Sequence, residues 1–483
     1  MNVVELIRQE TRLLAGRTAI VEGERTITYG DLLDRIGKLR QRLEKLEITA
    51  GQRVAFRCSD GIDYVIGALG LLECGAAVVP VADSLTQGEV RETIERIDVA
   101  GVLTHVGLPP APGEEGAKRI DEIFGWLARE SGAELNERCR KLGAAFIRFS
   151  SGTTGQSKGV ILSHRAIEER TDAANRGLEI SERDVILWVL GMSHHFVVSI
   201  LLFLRKGATI VVANRAFPFS VLEAAQRGGI NFIYASPVHY YLLAVSDAVS
   251  PGSLAKVRLA ISTAMKMPAE IFEAFYRKFG IAPAEAYGII EIGLPFINTE
   301  FGVGGRQTVG KILPDYQLRI DGPDENGIGE VMIKGRGMFD GYFSPWRMRD
   351  ECLREGWFDT GDLGRIDSQG RLSLLGRSKT VIVCAGMKVF PEEVEEAINS
   401  MPGIKESLVF GREHPQYGQT AVAQVVLAGA VEDEQAMMES LRAHCCARLS
   451  SYKVPVEFRT VKSLAKTASG KLARDAFSGF PKG

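Results

Sequence analysis

No regular cysteine framework runs through this chain. Its seven cysteines (58, 74, 139, 352, 384, 445 and 446) include no C-x-x-C pair. A disulfide scaffold is therefore not indicated, and reduced thiols in a cytosolic compartment are expected. The adjacent Cys445 and Cys446 are expected on a helix, one facing in and one out. An excess of either charge is also missing: 58 Lys+Arg stand against 60 Asp+Glu. That balance gives no reason to expect a nucleic-acid or anionic-membrane partner. Long hydrophobic runs are absent too. The longest, FVVSILLFL (196–204), falls far short of the roughly 20 residues a membrane span needs. The opening MNVVELIRQETRLL carries Glu5 and Glu10 and lacks the basic-then-apolar order of a signal peptide. A cytoplasmic protein with no membrane span is expected. No internal repeat or low-complexity segment is evident.

What is present is a globular composition, 45% hydrophobic and 24% charged over 483 residues, enough for two to four structural units. RTAIVEGERTITY (17–29) reads as a hairpin around Glu22-Gly23-Glu24, and from Asp31 the spacing of Leu32, Leu33, Ile36, Leu39 and Leu43 predicts a helix. Strand-like runs then alternate with helix-length segments: VAFRC (54–58), AAVVPV (76–81), VAGVLTH (99–105), DVILWVL (184–190), ATIVVA (208–213), NFIYAS (231–236) and VRLAIST (257–263). Continuous β-branched runs of this kind argue for parallel sheets covered by helices, an α/β fold. From about 305 the texture shifts to short strands and Gly-rich turns, which predicts an antiparallel or barrel-like subdomain to about 376. The last hundred residues or so suffice for an independent α+β domain.

The densest chemical signal is SSGTTGQSKG (150–159), which follows the apolar run AAFIRF. Glycines let a backbone approach a bulky anion, hydroxyls and N–H groups bond its oxygens, and Lys158 supplies a point charge. The loop is read as lying between a strand and a helix capped by Ser163. It is not a Walker A loop, because Ser157 precedes Lys158 and Gly159 follows it. A polar surface loop is the plain alternative. AYGIIEIG (286–293) puts a Tyr, a tight Gly turn and Glu291 after a strand end, and one such carboxylate facing a polyphosphate suits Mg²⁺. WFDTGD (357–362) offers Asp362 as an exposed acceptor for ribose hydroxyls. GRSK (376–379) adds Arg377 ahead of a linker, and KTASGK (466–471) places Lys471 in a Ser/Gly turn. Singly, each of the last three is more often a solvated turn or charge.

In this order, from ITYGDLL (27–33) through SSGTTGQSKG, YGIIE, GEVMIKG, TGD, GR and TASGK, the set resembles the adenylate-forming superfamily of acyl- and aryl-CoA synthetases, peptide-synthetase adenylation domains and firefly luciferase. The resemblance implies a large N-terminal part (1–378) of two doubly wound sheets plus a small β-barrel, and a hinged, mobile α+β C-terminal domain (379–483). It implies ATP, Mg²⁺ and coenzyme A. Ser151, Gly152, Thr153, Thr154, Gly155 and Lys158 would cradle phosphate, and Glu291 would hold the metal. Asp362 and Arg377 would hold the ribose. Tyr287, Gly288 and Ser262–Ala264, with Thr263 among them, would flank the adenine. Lys379 would be the hinge, Gly386 would lie by the thiol tunnel, and Lys471 would be the lysine required for adenylate formation.

His194 matches the position that gates the acid pocket; a satisfied histidine pair with His195 is the plainer reading. With Phe196, Tyr234, Ser236 and Met265 it would line a pocket for a compact carboxylic acid, such as an aryl acid of the benzoate or anthranilate type, rather than a long unbranched chain.

Several positions depart from the family pattern. Ile290 replaces a Thr hydroxyl that would touch the α-phosphate, Thr263 and Ala264 replace glycines, Val383 stands where some relatives have a lysine, and Ala465 replaces a proline. Lys471, Glu291 and Asp362 remain, so an active acid–CoA ligase is expected. The alternatives are an adenylating enzyme that loads a separate acyl carrier protein, and a non-catalytic nucleotide- or acyl-binding regulator, for which Ile290 is the best support.

Overall fold

The computed structural model describes residues 1–82, 85, 87–109, 116–149, 158–213, 217–299, 308–385, 387–429, 431, 433–466 and 472. Two compact units divide the chain. The first comprises Met1–Ser150, Lys158–Gln317 and Ile333–Phe358; the second comprises Ser151–Ser157, Leu318–Met332 and Asp359–Gly483.

The first unit is built on two large sheets, one mostly parallel and one mixed with a parallel centre. One has eight strands, in the order Gly293–Asn298, Ala284–Ile289, Leu259–Ser262, Phe232–Ala235, Val185–Trp188, Thr209–Val212, Thr18–Glu22 and Arg25–Thr28. Its five inner pairings, from Ala284–Ile289 across to Thr18–Glu22, are parallel, and hairpins close both edges. The other has nine strands, with Ala77–Pro80, Arg53–Arg57 and Gly101–His105 parallel at its centre. The β-branched and apolar runs form these strands because they can be buried on both faces: Val54, Val78, Ile186, Ile210 and Ile233 are all 0% exposed. The predicted hairpin at 17–29 is present. The following helix runs Tyr29–Glu44, two residues earlier than predicted, because Thr28 caps it by accepting from the Asp31 N–H.

One sequence expectation is corrected here. The run after the glycine-rich loop is not helical at once: Gly159–Ser163 is a buried strand, antiparallel to Ala144–Phe149 with Phe149 opposite Gly159. VILS pairs as a strand because its apolar side chains join the sheet core, and the helix His164–Leu178 starts only after the Ser163 cap. The loop therefore joins two strands rather than a strand and a helix.

A four-stranded sheet of Tyr316–Asp321, Gly329–Gly335, Phe358–Ile366 and Leu372–Arg377 occupies the Gly-rich region, most of it in the second unit. A five-stranded sheet follows, in which the long antiparallel pair Ile404–His414 and Gly418–Leu427 packs against the helices Pro391–Asn399 and Glu434–Cys446. On the second of these helices Cys445 is buried and Cys446 exposed. No helix among the described residues is long and apolar enough to cross a membrane.

The Ser163 cap gives a test of the local account. Its hydroxyl accepts from the Ala166 N–H at 3.1 Å inside the protein. Ser163→Ala should cost about 1 kcal/mol, read as a lower midpoint in thermal unfolding, whereas Ser163→Thr, which keeps a capping hydroxyl, should lose much less.

Candidate active site

The site starts from the hairpin Ala144–Phe149/Gly159–Ser163, whose pairing fixes both ends of the glycine-rich loop. Lys158, at the loop's end, lies with its ammonium 4.8 Å from the centroid of the Tyr342 ring, a contact that favours the cation. Tyr342 comes from the short strand Gly341–Tyr342, paired to Gly159–Ser163. Its hydroxyl donates to Glu291 Oε1 at 3.1 Å. Lys158, Tyr342 and Glu291 are thus brought together by three segments far apart in sequence.

Glu291 sits in the turn between the strands Ala284–Ile289 and Gly293–Asn298. The turn is tight: a Cβ on Gly288 would lie 2.2 Å from the Gly293 carbonyl oxygen, so no other residue fits. Phe339 N donates to the Glu291 carbonyl at 2.7 Å. The buried Arg170 donates to the Gly337 carbonyl at 2.7 and 2.9 Å and to the Ile290 carbonyl at 3.0 Å. Burial lowers the Arg170 pKa to about 10, opposed by Tyr316, Asp340 and Glu291. Ile290 therefore lacks a side-chain donor but is held firmly through its backbone.

Aromatic side chains gather near the ends of the strands Val185–Trp188 and Phe232–Ala235. Trp188 and Tyr234 stack at 5.8 Å and 12°, and His195 meets both edge-on at 6.2 and 6.5 Å. Phe196 packs on Tyr64 and Phe146 at 5.5 and 5.7 Å. The Tyr234 hydroxyl bonds Ser199 and Thr263, although burial is the larger influence and raises its pKa. Trp188 and Ser262 end parallel strands and Tyr234 is the last but one residue of another, and the carboxyl ends of such strands are where open α/β sheets take ligands. His194 is half-buried, with Nδ1 2.9 Å from Ser193 Oγ. Ser236 pairs with His239 Nδ1 at 2.7 Å, and the Met265 side chain is exposed.

The segment after Ser262 takes an unusual path. Ala264 has φ +75°, where a side chain is strained and glycine is not. Glu285, 6% exposed, anchors the segment by accepting from the Met267 N–H. Burial raises the Glu285 pKa to about 7, against the Met267 bond and Lys266. Tyr287 packs on Phe296 at 5.9 Å.

In the second unit Asp362 corrects a further expectation. It is not an exposed turn residue but a buried strand residue, because the register sets it opposite Arg377. Arg377 Nε lies 2.8 Å from Asp362 Oδ1, and its Nη1 donates to the Thr360 carbonyl at 3.1 Å. Lys379 is exposed in the turn that follows. Ser151, Gly152, Thr153, Thr154, Gly155, Gly386 and Lys471 lie outside the described residues. No group of three or more His, Cys, Asp and Glu among the described residues could hold a metal by itself. Glu291, a single carboxylate beside a cationic loop end, fits Mg²⁺, which takes one or two protein oxygens with substrate phosphates.

Arg170, Tyr342 and Arg148, whose Nη1 donates to the His194 carbonyl, were not anticipated from sequence. Arg148 carried a visible signal, a lone charge in the strand AAFIRF. Arg170 falls on the same helix face as Ile167 and Ala174, which periodicity alone could have flagged. Tyr342 left none, since a two-residue strand has no pattern to read.

The AMP-binding enzyme family matches residues 8–343, and the AMP-binding enzyme C-terminal domain matches residues 393–471. A sulfoacetate–CoA ligase of Cupriavidus necator is 28% identical over 471 residues, covering 93% of this chain and 91% of its own. A 2-succinylbenzoate–CoA ligase of Bacillus cytotoxicus is 28% identical, covering 97% and 96%. Among solved structures, the o-succinylbenzoate CoA synthetase of Bacillus subtilis, in complex with its acyl-adenylate intermediate, shares the fold with a TM-score of 0.84 at 24% identity, over 99% and 98% of the two chains.

Glu285 supplies a pH test. Its ordinary pKa of 4.5 becomes about 7 in the folded chain, so between those values the folded chain keeps a proton that the unfolded chain has released. The stability this contributes is complete below pH 4.5 and is lost as pH rises through 7, amounting to at most about 3 kcal/mol. Thermal melts of the parent and Glu285→Gln should therefore diverge with pH, the variant gaining on the parent between pH 5 and pH 8. A gap that does not change with pH would contradict the assignment.

Proposed function

The chain belongs to the AMP-binding enzyme family and is an AMP-forming acid–thiol ligase, and from that premise we propose that it activates a compact aryl acid, of the benzoate or anthranilate type, for transfer to coenzyme A. The observation that carries the acid assignment is the cluster of Trp188, Tyr234 and His195 at the strand ends, with Phe196 next along the chain and packed on Tyr64. Flat rings pack favourably against such a set, whereas a long unbranched chain would need a channel. The 2-succinylbenzoate ligase among the relatives supports the same reading.

The reaction proceeds in two displacements. A carboxylate oxygen bonds to the α-phosphorus of ATP while the bond to the β-phosphate oxygen breaks, and pyrophosphate leaves with the electron pair. The sulfur of the thiol then bonds to the acyl carbon, the bond to the AMP oxygen breaks, and the thiol proton passes to solvent. Lys158 stands at the loop end to neutralise phosphate charge, and Tyr342 orients the Glu291 carboxylate. Mg²⁺, when bound at Glu291, would supply further neutralisation of the phosphate oxygens. Asp362, oriented by Arg377, is assigned to the ribose hydroxyls. Thr153, Thr154 and Lys471 are assigned to the phosphoryl and acyl oxygens, Lys379 to the pivot, Gly386 to the thiol path, and His194 to the gate of the acid pocket.

The test is pyrophosphate release over a panel of benzoates, anthranilate and short and long aliphatic acids, with and without coenzyme A. Aryl acids should release pyrophosphate, coenzyme A should convert them to thioesters, and Lys471→Ala should slow release by about 10²-fold or more. Faster turnover with a long aliphatic acid would overturn the acid assignment, and preference for a holo-carrier protein over coenzyme A would overturn the thiol assignment.

A further inference from the structure

Arg148 is the one charged residue in the strand Ala144–Phe149, and it calls for an explanation. The register sets Arg148 opposite Val160 in the next strand, and Tyr342 opposite the same Val160 from the far side. Directly opposed residues in antiparallel strands share a face of the sheet. Arg148 is therefore on the face from which Tyr342 reaches Glu291. Phe146, two residues earlier and so on the same face, packs on Phe196 of the aromatic cluster. The sheet thus sets the Arg148 guanidinium on one face with Tyr342, which bonds Glu291, and with Phe146, which packs on Phe196.

Its bonding fits that position. The described partner of Arg148 is a neutral one, the carbonyl oxygen of His194, which accepts from Nη1. Burial lowers the Arg148 pKa to about 10 while Glu291 and Tyr64 oppose, so the group stays cationic at neutral pH. Among the described residues this single Nη1 bond leaves most of a five-donor fork, and such a fork matches a carboxylate. The reaction itself sets two anions against each other, the acid's carboxylate and the α-phosphate.

We propose that Arg148 receives the reacting carboxylate of the acid and holds it at the mouth of the aromatic cluster, facing the Glu291 turn. The inference rests on the ligase reading above and deepens it. Arg148 keeps its protons throughout: it pairs with the carboxylate before attack, and the oxygen that bonds to phosphorus leaves that pairing as pyrophosphate departs.

The test compares the best acid of the panel with its own carboxamide, which has the same shape and no charge. In Arg148→Met the KM for the acid should rise about tenfold or more, with the KM for ATP nearly unchanged. Inhibition by the carboxamide should be as strong as in the parent. Arg148→Lys, which keeps the charge without the fork, should fall between, and Arg148→Gln, which can still donate to the His194 carbonyl, should behave like Arg148→Met and takes its place if that variant does not fold. Equal weakening of acid and carboxamide would show a purely structural role and overturn the proposal, as would an unchanged KM for the acid. No pyrophosphate release by the parent with any acid would overturn the ligase reading, and the proposal with it.

Discussion

The antiparallel pairing of Ala144–Phe149 with Gly159–Ser163 is the constraint on which the candidate site depends. It is a hairpin in a mixed sheet, set against that sheet's parallel centre, and its turn is the glycine-rich loop. Pairing Phe149 with Gly159 fixes the separation of the loop's ends. Pairing Val160 with both Arg148 and Tyr342 then sets a cation and a phenol on the same face. From that row, Tyr342 reaches Glu291, Lys158 meets the Tyr342 ring, and Phe146 meets Phe196. A register slip of one residue would turn all of these to the opposite face.

Around that hairpin, several buried and half-buried polar side chains hold backbone groups. Arg170 bonds the Gly337 and Ile290 carbonyls, Glu285 accepts from Met267 N, Asp60 accepts from Met192 N at 2.9 Å, and Asp340 accepts from Ser163 N at 2.6 Å. Each fixes a loop or strand end that carries a candidate site residue. Leaving any of these buried groups without its partner is costly, so the loops have few alternative conformations. The strain at Ala264 and the raised pKa of Glu285 lie in one such segment, which fits a stretch of chain shaped for a ligand rather than for its own stability.

Much of this was legible in sequence. Runs such as NFIYAS and ATIVVA state their own burial, since a segment apolar at every position has to be covered on both faces. Glu291 and Gly288 were readable because a tight turn between strands needs glycine, and Lys158 because it closes a donor-rich loop. What escaped depended on register and on contacts distant in sequence. VILS was read as the approach to a helix because Ser163 is a strong cap, yet its pairing with Ala144–Phe149 is a tertiary event. Asp362 looked exposed because Thr-Gly-Asp is a common turn, and only the strand opposite brings Arg377 to it. Tyr342 and Glu291 are 51 residues apart, and no local pattern links them.

The central claim is that a carboxylate oxygen of the acid ends up on AMP. Turnover of an acid labelled with ¹⁸O in its carboxylate, followed by mass spectrometry of the nucleotide, tests this directly. The account predicts AMP carrying one heavy oxygen and pyrophosphate carrying none. Label in inorganic phosphate with ADP as the nucleotide product, or unlabelled AMP, would contradict it.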